Sequence, residues 1–116
     1  MFLILNHQRL DVYTSSRQFV LEGYKLSKSL PSDEKYVMVS QIRRAALSVH
    51  LNVAEGSSRK SETERKRYYE IARGSIIEID AALDIASDLG YLQNIGVEIL
   101  GKAMITCFKV LTGLIR

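Results

Sequence analysis

Apolar residues recur at steps of three and four through four long segments of this chain, and no segment alternates with period two. This spacing is typical of helices that bury one face. The segments run approximately over His7–Ser29, Asp33–Glu55, Ser61–Leu89 and Asn94–Ile115. Because the connections between them are short, consecutive helices are expected to run in opposite directions. The sequence therefore predicts an all-α fold, an antiparallel up-down four-helix bundle, with residues 1–116 as one domain.

Glycine and capping residues mark the breaks between these segments. Gly56 suits a left-handed residue after the second helix. Ser61 and Glu64 have the spacing of a capping box, which would open the third helix. Gly90 is expected to end the third helix, and Asn94 to cap the fourth.

The third segment is apolar on more than one side, because isoleucine and alanine residues lie outside its main stripe. These are Ile71, Ile77, Ala82 and Ile85. A bundle helix in a monomer needs only one apolar face, so the pattern favours a homo-oligomer over a monomer with unusually apolar sides. Gly74, inside the same segment, predicts the close approach of another helix, from this chain or a neighbour.

The composition is that of a folded domain, and the sequence offers no arrangement of catalytic groups. Hydrophobic residues make up 47% and charged residues 25%, and the net charge of +3 permits contact with nucleic acid or an acidic partner. His7 and His50 lie far apart, and neither has a glutamate three residues before it, as bundle di-metal sites require. We therefore expect no enzyme activity, no metal and no cofactor. The lone Cys107 lies in an apolar run and is expected to be buried.

The apolar Met1–Leu5 is too short for a signal sequence, and no stretch approaches the length of a membrane span. We therefore expect a cytoplasmic protein with no membrane contact.

The densest positive charge lies between the second and third helices. It comprises Arg59, Lys60, Arg65, Lys66 and Arg67. Two tyrosines follow at once, and basic side chains beside aromatic rings suit phosphates and bases. We expect these side chains to face solvent and to bind nucleic acid, with Arg43 as an outlying candidate. The alternative is a solvated face with pairs four residues apart, such as Glu62 with Lys66.

A polar stripe runs along the second helix beside its apolar stripe. It comprises Gln41, Arg44, Ser48, Asn52 and Glu55. We expect Asn52 and Glu55 to reach a basic residue such as Arg73 on the third helix, or a second subunit, and so to form a structural polar network. A polar groove for a ligand is the alternative.

The stretches QIRRAALSV, NVAEGSSRKS and YYEIARGSIIEIDAALDIASDLGYL resemble the bacterial intervening-sequence proteins, first noted as open reading frames inside insertions in 23S ribosomal RNA genes. The likeness extends from about Leu10 to Leu92, and its most specific parts are Asn52–Gly56 and Ala72–Ser75. The chain departs from the family at His50 and Leu51, where Pro-Ser is common, and Met1–Asn6 is an extension.

The resemblance implies a four-helix bundle that assembles into a homopentamer. A related branch, the accessory variability determinant of diversity-generating retroelements, is a basic pentamer that binds nucleic acid and partners a reverse transcriptase. Two functions follow as expectations. One is a non-enzymatic oligomer that binds RNA or DNA, structured RNA above all, through its basic surface. The other is an adaptor ring that docks a protein partner such as a reverse transcriptase.

Overall fold

The computed structural model describes residues 1–116 and contains four α-helices and no strand. The helices are α1 (Asp11–Ser27), α2 (Met38–Ser57), α3 (Glu62–Asp88) and α4 (Glu98–Ile115). Short 3-10 turns precede α1 at Asn6–Arg9 and α2 at Ser32–Glu34. The expected all-α fold is confirmed.

Each helix packs on two neighbours, so the bundle is square in section. α1 lies beside α2 and α4, and α3 lies beside the same two helices, whereas the backbones of the diagonal pairs do not approach each other. Ser16 of α1 meets His50 of α2, and Ser27 meets Arg43, so the first two helices run in opposite directions. The molecule measures 44 × 31 × 24 Å.

The core lies along the axis of the square and takes side chains from all four helices. Phe19, Val49, Ile76 and Leu111 are each no more than 1% exposed. Cys107 is also fully buried, as expected, and burial raises the pKa of its thiol to about 12, so it stays protonated. A smaller second cluster, formed by Leu30, Val39, Ile42 and Ala86, lies beside this main core.

Three helices begin later than their sequence pattern predicts. α1 starts at Asp11, since Leu10 is extended and ends the preceding 3-10 turn. α2 starts at Met38, after the 3-10 turn and a further turn. Asn94 does not cap α4, which has Val97 at that position. Leu92 and Ile95 pack against the core instead, so the chain crosses the end of the bundle before α4 begins.

The two glycines predicted to end helices behave differently. Gly90 has a φ of +80°, and the N–H groups of Gly90 and Tyr91 donate to the carbonyls of Ser87 and Ala86, so it terminates α3 as predicted. Gly56 is not left-handed, because α2 continues through it to Ser57. A side chain at Gly56 would place Cβ only 2.8 Å from the Cβ of Tyr68. Glycine is required there by the approach of α3.

Gly74 marks no close contact within this chain. A Cβ added there would meet nothing within 4 Å. The expected approach of another helix is therefore absent inside the bundle. None of the four helices is long and apolar enough to cross a membrane.

Candidate nucleic-acid interface

The basic cluster lies where the end of α2 meets the start of α3, and we call residues Arg59–Arg67 the basic joint. Only four residues separate the two helices. Gly56 lets α2 approach Tyr68, and the hydroxyls of Ser57 and Tyr69 lie 2.8 Å apart in a hydrogen bond. Ser61 caps α3 by accepting the N–H of Glu64 at 3.3 Å. These contacts fix the backbone that carries the basic side chains.

Arg59 is held against the protein on two sides. Its Nη2 donates to Glu55 Oε2 at 2.9 Å and to the Tyr68 hydroxyl at 3.2 Å. The guanidinium lies 5.2 Å from the centre of the Tyr68 ring. Tyr68 raises the pKa of Arg59 above its ordinary value, and Glu55 adds to the effect, so the side chain stays charged. Its Nε is buried and has no partner within the chain.

Arg65 does not face solvent as predicted, because it closes the turn between the helices. Its Nη1 donates to the backbone carbonyls of Arg59 at 3.1 Å and Lys60 at 2.6 Å. Lys66 lies 3.2 Å from Glu62, four residues earlier, in the pair expected from the alternative interpretation. Part of the positive charge therefore serves the joint itself.

Lys60 and Arg67 are the exposed basic residues of the joint, and the side chain of neither forms a hydrogen bond or ion pair within the chain. Arg67 lines a shallow groove of about 330 Å³. Arg59, Glu64, Tyr68 and Ile71 complete it. This groove combines two guanidinium groups, an aromatic ring and the carboxylate of Glu64 at the surface.

The basic joint carries the whole net charge of the chain. It contains five basic and two acidic side chains, a net charge of +3, which equals the net charge of the chain. The other residues contain eleven basic and eleven acidic side chains, which cancel. The opposite half of α3 is acidic and exposed, with Glu78, Asp80, Asp84 and Asp88. An anion therefore meets a favourable potential at the joint and an unfavourable one along the far half of α3.

Arg43 lies away from the basic joint. It precedes Arg59 by 16 residues, or about 24 Å along a helix. Its Nε donates to Ser27 Oγ at 2.8 Å, and its guanidinium lies 5.4 Å from the centre of the Tyr24 ring. Arg43 thus fastens α2 to α1 at the other end of the bundle.

The first three residues of the polar stripe, Gln41, Arg44 and Ser48, form a network that connects α2 with α3. Gln41 Nε2 donates to Glu78 Oε2 at 2.9 Å, and Arg44 Nη2 donates to Gln41 Oε1 at 2.7 Å. The Ser75 hydroxyl donates to that of Ser48 at 3.1 Å. The sequence marks Ser75 only as part of the family resemblance, because the contact of its hydroxyl with Ser48 depends on how α2 and α3 pack.

The expected pairing of Asn52 and Glu55 with Arg73 is not formed. Asn52 Nδ2 donates to the Ser48 carbonyl at 2.8 Å, and Glu55 pairs with Arg59. Arg73 Nη1 instead donates to Thr112 Oγ1 at 3.4 Å. Arg73 cannot pair with residues of α2, because it lies on the face of α3 that is turned toward α4.

A histidine cluster on the α1–α2 face has no counterpart in the sequence pattern. Ser16 Oγ lies 2.7 Å from His50 Nδ1 in a hydrogen bond. The Tyr13 ring lies between the two histidines, with its centre 4.6 Å from that of His50 and 5.5 Å from that of His7. Burial, then Arg17 and His7, lower the pKa of His50. Ser16 and His50 are 34 residues apart, so only the packing of the helices brings them together.

Comparison with known proteins identifies the family. A family model described as 23S rRNA-intervening sequence protein matches residues 8–113. Among curated protein sequences, none matches this chain. Since the family match spans all four helices, the chain belongs to the 23S rRNA-intervening sequence proteins.

Proposed function

We propose that this protein is a non-enzymatic, homo-oligomeric bundle that binds nucleic acid, structured RNA in particular, through phosphate contacts at the basic joint. One observation carries the proposal: the net charge of the chain is concentrated in the joint, where Lys60 and Arg67 are exposed and unpaired. The family description, which refers to 23S rRNA, is compatible with RNA association.

Lys60 and Arg67 would neutralise phosphates, and Arg59 with Tyr68 would offer a flat surface beside them. Basic side chains that replace counterions on a phosphate backbone supply affinity without reading the base sequence. Exposed aromatic rings stack on bases in a way that tolerates any sequence. Arg65 and Lys66 would act indirectly, by holding the joint in shape.

The exposed apolar side of α3 and α4 supports the oligomeric part of the proposal. Ile77 is 55% exposed, Ile105 56% and Phe108 36%. Together with Ile76 and Met104 they line an apolar groove of about 310 Å³, which we call the α3–α4 groove. A neighbouring copy that covers this face would remove apolar surface from water, and a pentamer, as the resemblance implies, would present five basic joints.

The same groove supports a second candidate function, in which the apolar face docks a protein partner such as a reverse transcriptase. An exposed apolar groove is a common site of protein association. In that case nucleic-acid affinity would be incidental, and the basic joint would not determine the function.

The test compares two double variants that each remove two positive charges. Lys60→Gln with Arg67→Gln changes the joint, whereas Lys28→Gln with Lys35→Gln changes exposed lysines at the opposite end of the bundle. Binding to several unrelated RNAs is measured by fluorescence anisotropy at one salt concentration. We expect the joint variant to lose about tenfold or more in affinity for every RNA, and the control to lose much less.

Equal losses in the two variants would mean that only the net charge matters and that the joint is not the site. Absence of binding by the parent, even at low salt, would leave the protein-docking function as the better candidate.

A further inference from the structure

The first five residues form an apolar arm that lies outside the family match, which begins at residue 8. Met1, Phe2, Leu3 and Ile4 are 65–104% exposed, and Leu5 is 41% exposed. Leu5 is in extended conformation, and residues 1–4 form no hydrogen bond with the bundle. Consecutive large apolar side chains are a costly feature to leave in water.

The arm leaves the bundle from a fixed point on the α1–α2 face. The 3-10 turn Asn6–Arg9 contacts α1 and α2 and no other helix. His7 in that turn packs on Tyr13, which packs on His50. The Leu5 N–H donates to Gln8 Oε1 at 3.1 Å. The start of the arm at Leu5 is therefore fixed by ordered contacts, whereas residues 1–4 form no hydrogen bond.

The α3–α4 groove lies on the opposite side of the square from this point. Its apolar lining is open to solvent, with Ile77, Ile105 and Phe108 at its surface and Asp80 and Lys109 also lining it. Five extended residues reach at most about 18 Å. The groove is on the outer side of α3 and α4, one layer of helices beyond α1 and α2, and lies roughly 20 Å along α3 from the end at which the arm starts. An arm of this length cannot pass around the bundle to the groove of its own chain.

We propose that the apolar arm of one copy occupies the α3–α4 groove of a second copy. Each chain contributes one arm and one groove, on opposite faces, and both are apolar surfaces that the isolated bundle leaves exposed. A contact between two different surfaces of identical chains is head-to-tail, and such contacts give a closed ring where the rotation between copies closes. The arm would thus give the proposed homo-oligomer a head-to-tail contact between neighbouring copies. This inference rests on the homo-oligomer of the proposed function.

The direct test is a disulfide between separate copies. A variant with Ile4→Cys is mixed with a second variant carrying Ile105→Cys, and the mixture is oxidised mildly. The native Cys107 is retained, since it is fully buried and its thiol stays protonated. The control mixture pairs Ile4→Cys with Leu21→Cys, because Leu21 is 50% exposed on α1, away from the groove. We expect a cross-linked dimer of the two variants in the first mixture, at several times the yield of the control.

A second measurement uses deletion of residues 2–5, which lie outside the family match. We expect the dissociation constant between subunits, from sedimentation equilibrium, to rise by at least about tenfold, since burying even one large aliphatic side chain is worth that much. Far-UV circular dichroism should show unchanged helix content.

The inference is overturned if the Ile4 and Ile105 variants cross-link no better than the control, or if the deletion leaves the dissociation constant unchanged. If the parent is still oligomeric, either result rules out the exchange of arms between copies and leaves the proposed function intact. A parent that is monomeric at every concentration removes both the arm exchange and the proposed oligomer, and RNA binding is then judged by the charge variants alone.

Discussion

At the scale of single residues, the basic joint divides its charges between two tasks. Arg65 and Arg67 are the same residue type, two positions apart, yet Arg65 bonds two backbone carbonyls of the turn whereas Arg67 points to solvent without a partner. Arg59 is intermediate, since it is paired with Glu55 and still 40% exposed. A substitution at this site therefore affects either the shape of the joint or its charge, depending on the residue.

Replacement of Glu55 by alanine should change stability very little. Its pair with Arg59 is a surface pair four residues apart, with the two side chains 51% and 40% exposed, and such pairs contribute less than about 1 kcal/mol. Glu55 also lies in the last turn of α2, where a negative charge is unfavourable. Urea denaturation of Glu55→Ala should give a midpoint close to that of the parent. A destabilisation of several kcal/mol would instead indicate a buried partner for Glu55.

His50 should make the bundle less stable as the pH falls. Burial, then Arg17 and His7, lower its pKa in the folded state below the ordinary 6.5, so the unfolded chain binds the proton more readily. The contribution is complete above about pH 6.5 and is lost as the pH falls from there through the folded pKa. The melting temperature of the parent should fall more between pH 7.5 and 5.5 than that of His50→Gln. Parallel pH profiles for the two proteins would refute this role.

At the scale of elements, the packing of α2 against α3 decides where the joint lies. The two helices meet at Gly56 and Tyr68 at one end and at Gln41 and Glu78 toward the other. The Ser48–Ser75 hydrogen bond lies between these contacts. Since only four residues connect the helices, the basic joint cannot move independently of this packing.

A matched pair of glycine variants tests this packing. Gly56→Ala and Gly74→Ala both replace a glycine within a helix, so the gain in helix propensity is alike, about 1 kcal/mol. Gly56→Ala brings Cβ within 2.8 Å of Tyr68 Cβ and should cost about 1–3 kcal/mol. Gly74→Ala meets nothing within 4 Å and should stabilise the folded chain. Equal effects on the denaturation midpoint would contradict the close approach at Gly56.

The existence of the four helices was predictable, but several of their ends were not. Apolar spacing reports which face of a helix is buried, and it holds through each of the four elements. The start of α4 was misplaced because Leu92 and Ile95 are held by the core, which is a tertiary effect with no local signal. The prediction for Gly56 was wrong because a left-handed glycine and a close-packed glycine look the same in a sequence.

The candidate site was predictable as a segment and not as a set of side chains. The charge density of residues 59–67 is plain in the sequence, whereas the division between Arg65 and Arg67 depends on the path of the turn. The partner of Arg73 depends on which face of α3 is turned toward α4. The rotation of a helix about its axis is set by packing with its two neighbouring helices.

At the scale of the whole molecule, charge and apolar surface are separated along α3. Its start carries the basic joint, whereas the α3–α4 groove lies farther along the helix, where the acidic residues begin and Asp80 lines the groove. In the proposed homo-oligomer the groove would be covered, and the basic joints would remain on the surface. The two parts of the proposed function would then use different residues and can be altered separately.

Ile77→Asp should weaken assembly, because the proposed interface would then bury an unpaired carboxylate. Leu21→Asp is the control, since Leu21 is 50% and Ile77 55% exposed, but Leu21 lies on α1 outside the groove. Light scattering at micromolar concentration should give a lower mass for Ile77→Asp and the parent mass for Leu21→Asp. A parent that scatters as a monomer would contradict the assembly itself.

The salt dependence of RNA binding tests the central claim most directly. The account predicts that the logarithm of the binding constant of the parent falls steeply and linearly with the logarithm of the salt concentration, because each neutralised phosphate releases counterions. Lys60→Gln with Arg67→Gln should lessen that slope by about one for each phosphate that is no longer neutralised, while the oligomer stays intact. A slope identical to that of the parent, or no binding by the parent at low salt, would contradict the account.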